Sequence, residues 1–326
     1  MNLGGKIKMD IQYLLFLQNI RESSGEWLTT FFSFMTNILE DWRMYIWLGI
    51  VYWGICKEQG TLAIMNYAGG GLLYQTLKNT FCIYRPFMRD ERIVPVGDPS
   101  GYSFPSGHST YATGIFGTYV RWQWREKRKW LAVLLGVVIA LVMFSRNFLG
   151  AHTPQDVLVA CVLTSILVVI NAKILEYIDK HPERDWVMVL IGLAIVAVQM
   201  LYCTLKSYPV DYNSEGEVLV TASKAIGNAY IPAGAVVGFL IGWILERRFI
   251  RFTVDGHWIA RVIRVVLGIV GIWALNTYTY APLKSLLGSN WGKFASMFLY
   301  CFYVTAIWPF CFKSVRTIGA KFAKRT

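Results

Sequence analysis

The chain has 326 residues, of which 55% are hydrophobic and only 16% are charged, and its formal net charge is +12. Soluble domains carry about 25% charged residues, so this composition argues against a soluble protein and favours a protein embedded in lipid. In membrane proteins Lys and Arg collect in the loops on one side, so the positive charge is interpreted as a topology signal, and nucleic acid is not expected as a partner.

The N-terminal residues 10–40 predict two amphipathic helices that lie in the membrane interface. Gln18, Asn19 and Arg21 interrupt the first apolar stretch, and the second stretch, from Trp27 to Leu39, is short and contains several hydroxyl side chains. A spanning helix over 26–41 is the alternative. No cleavable signal peptide is expected, because the first ten residues contain no apolar run.

The rest of the chain contains apolar runs of spanning length separated by polar loops. They predict about nine membrane spans, at residues 43–57, 60–79, 107–122, 129–147, 155–176, 185–205, 229–246, 258–280 and 291–312. The predicted fold class is therefore an all-α polytopic transmembrane helix bundle with N-terminal interfacial helices. In the seventh span Gly234, Gly238 and Gly242 recur every fourth residue, which predicts a helix-packing face.

The basic residues divide unequally between the two sides of this bundle. The dense loop from Arg121 to Lys129 and the basic C-terminus, with Lys313, Arg316, Lys321, Lys324 and Arg325, fall on the same side. By the positive-inside rule that side is expected to be cytoplasmic, and the motifs described next then face outward. The 206–228 segment is expected to be a solvated connector on the motif side, with a lid as the alternative.

The first motif runs from Lys78 to Pro86 and places two cations at the end of a predicted span. Lys78 and Arg85 are seven residues apart, about two helical turns, so both can project from one helix face. A charge at this depth is usually functional, although a long side chain that reaches the interface explains either residue alone.

The second motif, from Pro105 to His108, opens a predicted helix. Ser106 is expected to cap that helix, Gly107 allows a bound group to approach the backbone, and the free N–H groups of the first turn favour an oxyanion. His108 then stands in the first turn. A helix cap followed by an interfacial histidine is the structural alternative.

The third motif joins Ser145 and Arg146 to His152 and Asp156. Pro154 suits the first turn of a helix, so Asp156 can reach back to the ring of His152. The alternative makes Thr153 the N-cap and Asp156 the acid of a capping box, and both interpretations can hold together.

Taken together, the three motifs bring two histidines, three cations, an acid and a helix start to one membrane face. This set supplies a nucleophile, its orienting acid, a proton donor and groups for phosphoryl oxygens. None of the six cysteines forms a metal-binding pattern, and no metal or other cofactor is expected.

These three motifs resemble the signature of the type 2 phosphatidic acid phosphatase family, the membrane branch of a superfamily that includes the vanadium haloperoxidases. The signature reads Lys-x6-Arg-Pro, Pro-Ser-Gly-His and Ser-Arg-x5-His-x3-Asp, and all three parts occur here in order, within about residues 40–175. One departure is Ala160, which stands where many relatives carry Gly.

The resemblance implies a role for each motif residue. His152 is the nucleophile that becomes phosphohistidine, Asp156 orients its ring, and His108 protonates the leaving group and then activates water. The phosphate is held by the remaining motif residues, Lys78, Arg85, Ser106, Gly107 and Arg146.

The resemblance also divides the chain and suggests its substrates. We expect an interfacial segment at 1–41, a catalytic core of about five spans at 42–180, and additional helices of unknown role at 181–326. The expected enzyme is a metal-independent lipid phosphatase acting on phosphatidate, phosphatidylglycerophosphate or polyprenyl diphosphate, with its site facing outward from a bacterial plasma membrane.

Three other functions remain open from the sequence. The same site also suits a soluble sugar phosphate, or transfer of the phosphoryl group to an acceptor other than water. A lipid transporter with a vestigial site is the alternative from a different class. Lipid phosphates and membrane lipids are the expected partners, and homodimerisation is undecided by the sequence.

Overall fold

The computed structural model describes residues 3–39 and 41–312, and this part of the chain is almost entirely helical. Its α-helices are α1 (Leu3–Ser23), α2 (Glu26–Asn37), α3 (Met44–Gly54), α4 (Lys57–Phe81), α5 (Pro86–Arg89), α6 (Gly107–Arg125), α7 (Lys129–Phe148), α8 (Pro154–Lys180), α9 (Asp185–Leu205), α10 (Ala222–Leu245) and α11 (Trp258–Phe302). The C-terminal basic residues used for the topology prediction lie outside the described part.

Five helical stretches of the described chain are long and apolar enough to cross a membrane. They are Lys129–Phe148, Pro154–Lys180, Pro182–Leu205, Ala222–Ile250 and Trp258–Phe312. The predicted all-α membrane bundle is therefore confirmed, whereas the number of nine spans stays a prediction. The predicted first span is represented by α3, which has only 11 residues and packs against α4 and α11.

The last of these stretches is a helical hairpin, because the helix breaks at Gly288. Gly288 has φ 78° and ψ 170°, a conformation that only glycine adopts readily. On the two sides of it, the Trp308 Nε1 donates to the Arg264 carbonyl at 3.0 Å, and the Tyr300 hydroxyl donates to Asn276 at 3.4 Å. The two arms therefore run antiparallel, which agrees with the separate spans predicted at 258–280 and 291–312.

Helix α4 lies at the centre of the bundle, in contact with α6, α8 and α10. Its polar side chains are satisfied by those neighbours: Asn66 donates to Thr118 at 2.8 Å and accepts from Asn171 at 2.8 Å. Interhelical hydrogen bonds of this kind remove the cost of polar groups in the lipid-embedded interior. This pairing explains how α4 and α6 remain buried in a membrane protein despite their modest hydropathy.

The glycine face predicted on α10 packs against the second arm of α11. A Cβ added at Gly234 or Gly238 would meet the backbone of Phe294 or Phe298, and one at Gly242 would meet Thr305. The helices approach closely because these positions lack side chains, so the helix-packing interpretation is confirmed.

Ion pairs join the helix ends at the side opposite the motifs. Arg121 and Arg125 both contact Glu176 at 2.8 Å, and Arg247 contacts Asp185 at 2.9 Å. The basic ends of α6 and α10 therefore lie at the same end of the bundle, as the topology prediction requires.

The N-terminal helices pack against protein at the motif end. Arg21 of α1 donates to the carbonyls of Phe148 at 3.0 Å and Val94 at 2.6 Å, and the ring of Phe32 in α2 lies 4.6 Å from that of Phe148. Both segments are helical as predicted. Their location in the interface stays a prediction, but they also cover the end of α7 and the loop before α6.

Candidate active site

A cavity of about 750 Å³ opens at the end of the bundle where the three motifs meet. It is bounded by α2, α4, α6 and α10, by the loop over residues 96–102, and by the turn between α7 and α8. Among the predicted site residues, those lining it are Lys78, Arg85, Gly107, His108, Arg146 and His152. Ser106 and Asp156 lie behind this lining and support it.

The start of α8 positions the His152 ring. Thr153 is the N-cap, its hydroxyl accepts from the Asp156 N–H, and its own N–H donates to the Asp156 Oδ2 at 2.9 Å. This capping box turns the carboxylate back along the chain, so that Oδ2 lies 3.3 Å from the His152 Nδ1. The capping and ring-orienting interpretations of Asp156 therefore describe the same arrangement.

A third group, Ser103, completes this hydrogen-bond network. Its hydroxyl lies 2.5 Å from the Asp156 Oδ2 and 3.3 Å from the His152 Nδ1, and the side chain is fully buried. When the hydroxyl donates to the carboxylate, its oxygen accepts from Nδ1–H. The proton of the neutral ring is then on Nδ1, and Nε2 carries the lone pair.

Arg85 is held on the other side of the His152 ring. Its Nη1 lies 3.2 Å from the His152 Nε2 and donates to the Ala151 carbonyl at 3.0 Å. Its Nε and Nη2 donate to the carbonyls of Gly101 and Ser100 at 3.1 and 2.8 Å. The guanidinium is therefore fixed by backbone oxygens and places its positive charge beside the His152 Nε2.

The prediction that Lys78 and Arg85 share one helix face is wrong. Helix α4 ends at Phe81, because Cys82 adopts a left-handed conformation with φ 49°, and Arg85 lies in extended backbone before α5. The two side chains reach the same cavity from a helix end and from a loop. The Lys78 ammonium donates to the Tyr102 carbonyl at 2.8 Å.

Arg146 approaches the cavity from the last turn of α7. Its Nη1 donates to the Thr36 hydroxyl at 2.8 Å, so the N-terminal helix α2 supports a predicted phosphate-binding residue. The carbonyl of Arg146 accepts from the backbone N–H of His152 at 3.2 Å, and the Asn147 amide donates to the His152 carbonyl at 2.8 Å. The α7–α8 turn is therefore a compact unit that carries both Arg146 and His152.

Helix α6 begins beside this turn, as predicted. The Ser106 hydroxyl accepts from the Ser109 N–H, which confirms Ser106 as the N-cap, and the Ser106 N–H donates to the Asp156 carbonyl at 3.0 Å. A Cβ at Gly107 would lie 3.2 Å from the Tyr74 ring, so only glycine fits there without displacement. His108 follows in the first turn and lines the cavity.

The electrostatics of the cavity favour an anion. Burial, followed by the positive charges of Arg85 and Lys78, holds the pKa of His152 well below its usual value and keeps the ring neutral. Burial and the neighbouring Arg146 lower the pKa of Arg85 to about 10, which still leaves it charged at neutral pH. Three buried basic side chains, Lys78, Arg85 and Arg146, thus surround a neutral imidazole.

Within the described residues no group of three or more His, Cys, Asp or Glu side chains is arranged to hold a metal ion. The basic side chains that line the cavity are those of Lys78, Arg85 and Arg146.

Ser103, Thr36 and Asn147 are site residues that sequence reasoning missed. Ser103 stands three residues before Ser106 and Asn147 directly follows Arg146, so proximity to the motifs was an available signal for both. Thr36 is separated from every motif in the chain, and only the packing of α2 on α7 brings it to Arg146.

Comparison with protein-family models identifies two matching regions. The model of the PAP2 superfamily matches residues 59–179, and a model described as PAP2 superfamily phosphatase, transmembrane extension, matches residues 230–321. The chain contains a PAP2 superfamily domain followed by the transmembrane extension of that superfamily. The first match contains all eight predicted site residues and the second contains most of α10 and α11, so the resemblance drawn from the motifs is confirmed.

Three relatives show how far the likeness extends. The chain is 26% identical to undecaprenyl-diphosphatase of Sulfolobus acidocaldarius, over 40% of this chain and 65% of that protein. It is 31% identical to human sphingosine-1-phosphate phosphatase 2, over 44% and 35% of the two chains, and 30% identical to phosphatidylglycerophosphatase B of Bacillus subtilis, over 30% and 49%. The chain thus spans less than two thirds of each relative. No solved structure matches the chain at a significant level.

Proposed function

We propose that this PAP2 protein is an integral membrane phosphatase that hydrolyses a lipid phosphate through a phosphohistidine intermediate on His152. The observation that carries the proposal is the pairing of a neutral, oriented imidazole with three buried cations. With its proton on Nδ1, the His152 ring keeps a lone pair on Nε2, and the Arg85 Nη1 lies 3.2 Å from that nitrogen. A nucleophile next to fixed positive charge suits attack on a phosphoryl group, whose oxygens spread the charge of the transition state.

The first step is in-line attack of the His152 Nε2 on phosphorus. The phosphorus–oxygen bond to the leaving alcohol breaks, and His108 gives that oxygen a proton. The Nδ1–H of His152 donates to Asp156 and Ser103, which stabilises the positive charge that the ring acquires. Arg85 exchanges its contact with Nε2 for a phosphoryl oxygen, and Lys78 and Arg146 bind the others.

In the second step His108 takes a proton from water, and the resulting oxygen attacks the phosphohistidine. The phosphorus–nitrogen bond breaks, inorganic phosphate leaves, and both histidines return to their starting state. Because the three cations stay in place throughout, charge compensation by side chains is sufficient and the proposed reaction is metal-independent.

A lipid substrate is supported by the position of the cavity at the end of a membrane bundle and by the relatives' names. Those relatives include an undecaprenyl-diphosphatase and a phosphatidylglycerophosphatase B. We further propose a bacterial plasma membrane with the cavity on its outer face, because the basic helix ends gather at the opposite side of the bundle.

Phosphate release by the purified protein tests the proposal. The substrates are phosphatidate, phosphatidylglycerophosphate, undecaprenyl diphosphate and glucose 6-phosphate, each with excess chelator. We expect chelator-resistant release from at least one lipid and a loss on the order of 10³-fold or more in His152→Ala. The control is His181→Ala, which removes a half-exposed histidine at the opposite end of the bundle.

Three outcomes contradict this account. Full release by His152→Ala removes the nucleophile assignment, and release from glucose 6-phosphate alone removes the lipid assignment. For the sidedness, a water-soluble short-chain phosphatidate supplied to intact cells should be hydrolysed without permeabilisation. Hydrolysis only after permeabilisation would place the cavity on the cytoplasmic side.

A further inference from the structure

One wall of the cavity is uncharged and comes partly from the transmembrane extension. The residues that line it beyond the phosphate-binding cations are Tyr74, Gln75 and Asn79 on α4, Tyr111 on α6, and Asn228 and Ile231 on α10. Helix α10 lies within the match to the extension from residue 230 onward, and Asn228 lies two residues before that boundary.

Two of the three helices that form this wall, α4 and α10, are packed tightly. A Cβ at Gly71 of α4 would lie 3.1 Å from Pro232 of α10, and the Asn79 amide donates to the Ala225 carbonyl at 3.2 Å. Gln75 in turn donates to the Asn79 Oδ1 at 3.1 Å. A chain of amides thus runs along α4 and ends on the backbone of α10, which fixes the wall relative to the catalytic motifs.

Asn228 is the member of this wall that is placed to meet a ligand. Its amide nitrogen lies 3.5 Å from the position that a Cβ on Gly101 would occupy, and Gly101 is the residue whose carbonyl holds the Arg85 Nε. Within the described part of the chain its side chain has no hydrogen-bond partner, and it lines the cavity. An amide in this position offers both a donor and an acceptor beside the phosphate-binding loop.

The distribution of charged side chains around the cavity indicates which kind of ligand group the wall can bind. The lining cations belong to the group around His152, whereas the wall itself offers amides and hydroxyls. A second phosphate would need further positive charge, but a glycerol-like hydroxyl group is satisfied by neutral donors and acceptors. Asp98, which also lines the cavity, adds a negative charge that disfavours a second phosphate.

We propose that Asn228, supported by Gln75 and Asn79, forms a subsite for a neutral, hydroxyl-bearing leaving group of glycerol type. The start of α10, together with α4, thereby selects lipid phosphate monoesters with a polyol next to the phosphate over isoprenoid diphosphates. This inference rests on the proposed phosphatase activity and assigns its specificity to a residue outside the three motifs.

The test compares kcat/KM for lysophosphatidate, whose leaving group is a neutral monoacylglycerol with a free hydroxyl, and for farnesyl diphosphate in the same detergent micelles. The readout is the ratio of the two values, since a general loss of folding or of phosphate binding cancels in it. Replacing Asn228 by Ala should lower the ratio by about 3- to 10-fold, the effect of one lost neutral hydrogen bond. The matched control is Asn290→Ala on α11, whose amide packs against Gly227 of α10 and does not line the cavity.

A second variant separates a hydroxyl ligand from a phosphate ligand. Asn228→Asp keeps an acceptor for a hydroxyl donor and adds a negative charge that repels a second phosphate, so its ratio should stay at or above the wild-type value. A ratio that falls in Asn228→Asp, or falls equally in Asn290→Ala, contradicts the subsite, as does an unchanged ratio in Asn228→Ala.

The wild-type protein's preference between the two lipids also tests the proposal. A wild-type preference for farnesyl diphosphate overturns the polyol assignment while leaving the phosphatase intact. A wild type that releases phosphate from neither lipid overturns the proposed function itself, so the two failures are distinguishable.

Discussion

Ser103 lies within hydrogen-bond distance of both Asp156 and His152, and one hydroxyl therefore links the acid to the ring that it orients. The carboxylate also accepts from the Thr153 N–H, so its position is set by the helix cap even without the serine. What the serine adds is an acceptor for Nδ1–H and a donor to the carboxylate. In the proposed mechanism both contacts strengthen when the ring becomes positively charged.

Replacing Ser103 by Ala should therefore lower kcat more than it changes KM. Loss of one hydrogen bond to a charged group corresponds to about 10- to 100-fold in kcat, whereas KM should change less than about twofold. Steady-state kinetics on the preferred lipid measure both constants. The matched control is Ser296→Ala, which removes an equally buried hydroxyl that bonds only within α11. A rise in KM at constant kcat would show that Ser103 serves binding and not ring orientation.

At the scale of elements, α10 packs closely on the second arm of α11 because its glycines have no side chains. At Gly238 an added Cβ would lie 2.9 Å from the Cα of Phe298, a backbone atom that cannot move without displacing the second arm of α11. Since α10 also packs on α4, that displacement would reach the cavity wall.

A Gly238→Val substitution should destabilise the bundle by about 1–3 kcal/mol or more, because it overpacks a tight helix contact. The matched control is Gly136→Val on α7, where no neighbouring atom lies within 4 Å of an added Cβ. Thermal unfolding in detergent measures the difference between the variants. Equal unfolding midpoints for Gly238→Val, Gly136→Val and the wild type would show that the close approach of α10 and α11 is not needed.

The elements also show which parts of the structure the sequence could predict. Hydropathy located most helices, and turn chemistry located the starts of α6 at Ser106 and α8 at Thr153, because caps are local interactions. The predicted shared helix face for Lys78 and Arg85 is wrong because α4 ends at the left-handed residue Cys82. A cysteine, unlike a glycine, gives no sequence signal for that conformation. Thr36 was missed because its contact with Arg146 depends on tertiary packing alone.

At the scale of the whole molecule, the catalytic motifs and the transmembrane extension form one helical body. Helix α10 packs on α4 and lines the cavity, so the predicted division at residue 180 separates sequence segments that share a site. The sequence left the later helices without a role, since nothing in their composition distinguishes a lipid-facing helix from one that borders a cavity. The two-part organisation at 42–180 and 181–326 stays a proposal about function.

The central claim is that His152 carries the phosphoryl group, and trapping the intermediate tests it most directly. Protein with His108→Ala is incubated with a radiolabelled lipid phosphate, quenched in alkali, and digested, and the labelled peptide is identified by mass spectrometry. We predict an alkali-stable, acid-labile phosphate on His152 that forms slowly in His108→Ala, because protonation of the leaving group is lost, persists there because water activation is lost too, and is absent when His152→Ala is added. Label on another residue, or hydrolysis by the wild type with no label on His152 under any quench condition, would contradict the account.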